Sequence, residues 1–217
     1  VNAPETNATI HDFGGFEPEL YEVRYPAPGA PDLAARVKQL LDSAGFSTTI
    51  DPARGLDHGA WVPLSLAWPD ADIPVAQLSV QSHRGPAHHL ALGRALAPLR
   101  ADGVLILASG SFTHDLSHFM RYREAIDAPE PGWVTAFADW FDSALAEDRT
   151  EDLLAYRTRA PFAVKNHPTE EHLLPLYVAL GAAGDTPAIT RLHTSTTHAV
   201  LRMDVYGFGA DVVAPVG

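Results

Sequence analysis

A chain of 217 residues, 46% hydrophobic and 19% charged, suits one domain with a full core or at most two small ones. It has no cysteine, which excludes disulfides, thiolate metal sites and cysteine nucleophiles. Its 27 acids against 15 scattered bases give a formal charge of −12, a poor match to nucleic acid or an anionic membrane.

No apolar run approaches the ~20 residues that span a bilayer. The first residues are polar and lack the basic start of a signal peptide, so a cytoplasmic protein is expected. Residue 1 is Val, and Val1 to Thr9 reads as a loop where an α/β domain usually opens on a buried strand. The expectation is one domain over 1–217 that is N-terminally incomplete.

Along the chain, Tyr25-Pro26-Ala27-Pro28-Gly29-Ala30-Pro31 is a rigid connection. Asp32 reads as the cap of a helix over 33–43, which Gly45 ends. Residues 46–50 read as a short strand, 60–67 as a short helix and 73–80 as a strand with Pro74 near its start. A helix is predicted over 86–99. The run Val104-Leu105-Ile106-Leu107-Ala108 then reads as a strand buried on both faces, as in a parallel sheet. A polar loop follows to Ser117, then helices over 134–146 and 169–180 and a last strand over 199–206. Strands alternating with helices predict an α/β fold: a single layered domain with a central mixed, mostly parallel sheet flanked by helices.

Eleven histidines stand out, and histidine is both the commonest metal ligand and the side chain that titrates nearest neutrality. His114 lies in the loop beyond strand 104–108, where open α/β sheets bind ligands. Position alone leaves it open between an acid/base group and a loop histidine bonded to backbone. His172 follows Thr169, a good N-cap residue, so it falls in a first helical turn, where the helix dipole disfavours imidazolium and leaves the metal-binding neutral form. On spacing alone a merely structural role fits it better. His58 sits between Asp57 and Gly59 at a helix start, where Asp57 can cap the helix or orient the imidazole.

His83, His88 and His89 read as solvated. His118 can neighbour His114 only if the loop is helical. His193 and His198 fall on opposite faces if their segment is extended. No G-x-S-x-G elbow, P-loop or H-E-x-x-H motif is present. Ser109 or Ser111 with His114 weakly imitates a hydrolase pair.

Several segments, in order, resemble the DODA-type extradiol ring-opening dioxygenases of the protocatechuate 4,5-dioxygenase catalytic-subunit superfamily. They are Ile10-His11-Asp12-Phe13-Gly14-Gly15-Phe16, Tyr25-Pro26-Ala27-Pro28-Gly29 and Leu56-Asp57-His58-Gly59-Ala60-Trp61. Pro69 to Val75, Ala108-Ser109-Gly110 with His114, and Pro168 to Leu176 continue the series.

The resemblance implies a mononuclear non-haem metal, Fe(II) with Zn(II) able to occupy the site. It implies a catechol such as 3,4-dihydroxyphenylalanine with dioxygen as substrates, and a monomer or homodimer. It casts His172 as a metal ligand, His114 as catalytic acid/base and substrate contact, and His58 as a catalytic, substrate-side histidine. The two motifs that supply the family's other metal-binding histidines are absent, so two further ligands are expected upstream of Val1. A non-catalytic relative that keeps the fold as a binding protein is the alternative.

Overall fold

The structure is a computed structural model that describes residues 1–185 and 187–209. Residues 210–217 of the expected domain lie outside the described residues. The chain divides into two compact units, Val1–Ser79 and the part from Val80 onward.

In the first unit, extended stretches meet through single bridges instead of ladders. Asn2 with Asp51, Thr9 with Leu56 and Gly29 with Val75 are parallel bridges; Thr6 with Pro28 is antiparallel. Two buried amides do the work of a ladder. Asn2 Nδ2 donates to Asn7 Oδ1, and Asn7 Nδ2 donates to the carbonyls of Ala27, Pro28 and Val75. This satisfies buried backbone acceptors with side chains. One of these acceptors, the Val75 carbonyl, lies in the segment 73–80, and neither that segment nor 46–50 forms the regular strand expected.

Helix α1, Pro31–Ser43, starts two residues earlier than the apolar pattern suggests because Pro31 supplies a pre-set φ at N1. Asp32 is therefore not the cap. It lies in the first turn, where its charge favours the helix dipole. Ala34, Val37 and Leu41 form the buried stripe, and Gly45, at φ +86°, turns the chain out of the helix. Helix α2, His58–Ala67, buries Trp61 against Tyr25, Ala27 and Leu56.

The second unit opens with α3, Gly85–Leu96, continued by a 3₁₀ turn over Ala97–Arg100. The segment 104–108 corrects the expectation of a strand buried on both faces. It forms no ladder among the described residues, and Leu105 and Leu107 are 67% and 49% exposed. An apolar run expresses a preference for burial, but a strand also needs neighbours to bond its backbone, and no described segment supplies them.

Next come α4 (Leu116–Tyr122), α5 (Gly132–Ala146) and the short α6 (Thr150–Leu154), α7 (Tyr156–Arg159) and α8 (Ala163–Asn166). Helix α9 spans Leu174–Ala182. Strand β1, Ile189–His193, pairs antiparallel with β4, Val205–Phe208, and β2, Thr196–Thr197, with β3, Leu201–Arg202. The expected strand 199–206 is instead two strands: Ala199, at positive φ, lies outside strand geometry, and β3 and β4 are separated at Met203 and Asp204. The mixture of helices with a small amount of sheet is that of an α/β protein.

The core of this unit is aromatic. Phe137 and Phe141 of α5 pack with Phe112, Tyr156, Leu174 and Tyr177. Helices α3 and α9 approach closely at two glycines. A Cβ on Gly93 would lie 2.2 Å from the carbonyl oxygen of Val178, and one on Gly181 would lie 2.1 Å from that of Leu90.

Candidate active site

The strongest chemical feature is a pair of histidines in the second unit. The rings of His114 and His172 stack, with centroids 3.5 Å apart and planes 16° from parallel. Two segments far apart in sequence bring them together, and three hydrogen bonds lace those segments. Ser111 N–H donates to the carbonyl of His172, and His114 N–H to that of Asn166. The His167 ring donates through Nε2 to the carbonyl of Phe112 at 2.9 Å. A Cβ on Gly110 would lie 2.0 Å from the His172 carbonyl oxygen, so glycine is required for this approach.

Burial, and then the neighbouring His172, push the His114 pKa down to about 4. His114 is therefore a neutral imidazole at neutral pH, able to accept a proton. His167 is fully buried, and burial pushes its pKa to about 4 as well. Its Nδ1 has no hydrogen-bond partner among the described residues.

His172 is not in the first turn of a helix as the spacing suggested. Residues 168–173 form turns, α9 begins at Leu174, and the Thr169 hydroxyl bonds Glu171 Oε1 instead of capping. Proline at 175 suits the first turn of a helix, which explains the later start. His172 Nδ1 lies 3.3 Å from Glu171 Oε1, a carboxylate set beside an imidazole as it often is behind a metal ligand. Burial raises the Glu171 pKa, but the hydrogen bond from Thr169, a backbone hydrogen bond and the nearby His172 and His114 together outweigh it and hold the carboxyl below its ordinary range.

Other histidines are committed elsewhere. His118 lies in α4, but its Nδ1 bonds Asp115 Oδ2 at 2.6 Å, and Asp115 also caps that helix. His89 is not solvated: it is buried in α3, donating from Nδ1 to the Gly85 carbonyl and accepting at Nε2 from Gln81 N–H. His193 bonds Ser195, and His198 bonds the Tyr122 carbonyl. The hydrolase arrangement is not formed, since the Ser111 hydroxyl donates to the Thr113 carbonyl.

His58 belongs to the first unit. Its imidazole is oriented by Asp12, not Asp57: Nδ1 lies 2.8 Å from Asp12 Oδ1, which also accepts from the His58 backbone N–H. Asp57 is engaged by Arg54 and Gln77. Asp12, Glu171 and His167 are residues to which sequence reasoning gave no role. Asp12 and Glu171 lie inside segments that carried the resemblance.

Residues 1–206 match the family described as the catalytic LigB subunit of aromatic ring-opening dioxygenase. The chain belongs to the LigB family. Among relatives, the 4,5-DOPA dioxygenase extradiol of Beta vulgaris is 46% identical over 96% of this chain and 76% of its own length. The enzyme of the same name from Escherichia coli K12 is 41% identical over 88% of this chain and 69% of its own. A crystal structure of an uncharacterized Escherichia coli K12 protein superposes with a TM-score of 0.72 at 33% identity, covering 94% of this chain and 81% of that one. The LigB chain is an extradiol ring-cleaving dioxygenase, an oxidoreductase acting on a small molecule with dioxygen.

LigB dioxygenases depend on a non-haem metal. Among the described residues no three or more His, Asp or Glu side chains converge to hold an ion. The stacked pair cannot do so alone. Parallel rings 3.5 Å apart send their in-plane lone pairs along separate planes, whereas zinc needs each nitrogen aimed at one point from ~2.1 Å. The described residues therefore do not by themselves fit a complete metal centre. No helix among them is long and apolar enough to cross a membrane.

Proposed function

We propose that ring opening in this chain uses His114 as the acid/base that moves the substrate proton, His58 as the histidine beside the catechol hydroxyls and His172 as a metal-binding imidazole. The observation that carries this reading is the stacked pair. Burial, and then His172 stacked beside it, disfavour a charge on His114, so a neutral base stands ready where deprotonation of a catechol needs one. The base accepts a hydroxyl proton and can return it to the opened product, so it is restored after each cycle. The names of the relatives support a substrate like 3,4-dihydroxyphenylalanine. Fe(II) is the metal of choice, with Zn(II) able to take its place in isolated protein. The family match runs through both units, which supports one catalytic domain, with the parallel bridges of the first unit as part of its mixed sheet.

The test is anaerobic reconstitution of the complete protein with Fe(II), then a panel of catechols with air admitted, following the yellow ring-opened product. Turnover of vicinal diols with an unsubstituted neighbouring ring position is expected, and its loss in His114→Ala. Undiminished turnover in that variant refutes the assignment.

A further inference from the structure

Asp12 and His58 are 46 residues apart in sequence, yet they are joined twice. Asp12 Oδ1 accepts from the backbone N–H of His58 at 3.1 Å and faces its ring Nδ1 at 2.8 Å. The backbone bond has a clear cause. His58 is the first residue of α2, and its N–H has no partner within the helix. Asp57 precedes it but makes no side-chain cap, being held by Arg54 Nη2 and Gln77 Nε2. Asp12 takes over the cap from a distant segment.

The pairing is built into the unit and is not a chance meeting of surface charges. His58 and Trp61 are three apart on α2 and share a helix face. That face is tied twice to the segment 10–12: Trp61 Nε1 donates to the Ile10 carbonyl at 2.9 Å, and His58 bonds Asp12. Between these ties, Phe13 packs edge-on to His58 and tilted against Trp61, each with ring centroids 6.0 Å apart. The Ile10 N–H is itself bonded to the Leu56 carbonyl, which closes the frame.

A carboxylate only accepts hydrogen bonds, so the ring nitrogen facing it must be the donor. In a neutral imidazole this leaves Nε2 as a bare acceptor. We infer that Asp12 is a positioning residue that fixes His58 as its Nδ1–H tautomer and thereby presents the Nε2 lone pair as the acceptor for a catechol hydroxyl. The inference rests on the substrate-side reading of His58 proposed above. The opposite tautomer would set an N–H against the hydroxyl's own hydrogen, and a proton acceptor would be lost without any loss of the ring.

The test has two readouts on the full chain. The first is the imidazole tautomer of His58, read by long-range ¹H–¹⁵N correlation on histidine-labelled protein at a pH where the ring is neutral. The parent protein is expected to show Nδ1–H. Asp12→Ala is expected to move His58 toward Nε2–H, and Asp12→Asn, whose amide oxygen can still accept, to keep Nδ1–H. The second readout is kcat/KM of the complete, Fe(II)-reconstituted protein for a catechol in Asp12→Ala, His58→Ala and the double variant. Asp12→Ala is expected to lose about tenfold or more, as befits an impaired proton acceptor. Asp12→Asn should recover most of that, and the double variant should be no worse than His58→Ala alone.

An unchanged tautomer in Asp12→Ala overturns the positioning role whatever the kinetics show. Independent, multiplying losses in the double variant overturn it as well, because Asp12 would then act other than through His58. If His58→Ala keeps full kcat/KM, the substrate-side reading falls and takes the functional half of the inference with it. Thermal unfolding of each variant separates these outcomes from loss of fold.

Discussion

Buried histidines make this chain sensitive to mild acid, and His167 allows the effect to be worked out. The ring is fully buried, and burial pushes its pKa from the ordinary 6.5 to about 4. As pH falls through about 6.5 the unfolded chain takes up a proton there, whereas the folded chain refuses it until about 4. The unfolded state binds more protons throughout that window, so stability falls as pH falls and the loss levels off below about 4. A shift from 6.5 to about 4 is worth roughly 3 kcal/mol, a large share of the ~5–15 kcal/mol that holds a typical domain together. His114 adds in the same direction, but its partial exposure screens the effect and makes its share smaller.

Denaturant unfolding at a series of pH values from 7 to 4, on the parent and on His167→Gln, isolates the term. Glutamine offers an amide donor to the Phe112 carbonyl and does not titrate. Carboxylates held low by their partners, such as Asp42 and Asp51, contribute equally to both proteins. The parent should lose about 3 kcal/mol more than the variant across the window. Parallel stability curves for the two proteins would refute the reasoning.

Further outcomes follow from the same geometry. In the complete protein, His114→Ala should abolish catechol turnover while iron content, read by elemental analysis after reconstitution, stays near normal; equal loss of iron would reassign it as a ligand. His172→Ala should lower bound iron or zinc by the same measurement. Gly93→Ala forces a Cβ to within 2.2 Å of the Val178 carbonyl oxygen and should cost about 1–3 kcal/mol, visible as a lower Tm. Phe141→Ala empties the centre of the aromatic core and should cost about 3–5 kcal/mol in denaturant unfolding.

Local signals carried much of this structure. The helix over 33–43 was legible from the spacing of Val37 and Leu41, and the helix over 134–146 from its apolar stripe. The strands were less so, because a strand is defined by its neighbours. Val104 to Ala108 has the composition of a central strand but lacks described partners, and in 73–80 the Val75 carbonyl accepts from the Asn7 amide. In the site, His58, His114 and His172 were found through an ordered set of motifs. Their surroundings were not, since the bond from Asp12 to His58 spans 46 positions and the stacking of His114 on His172 spans a comparable gap. Periodicity describes one element at a time and is blind to such closures.

The two glycines between α3 and α9 have a mechanical consequence. Each helix rests its backbone in the notch that the other leaves open, Gly93 receiving Val178 and Gly181 receiving Leu90. Sliding one helix along the other by a turn, about 5.4 Å, would drive a side chain into each notch. The pair is thus keyed, like a shaft in its slot, and axial play is removed. His172 stands two residues ahead of α9, so the depth at which its ring is offered to His114 is set by a helix that contributes no chemistry of its own.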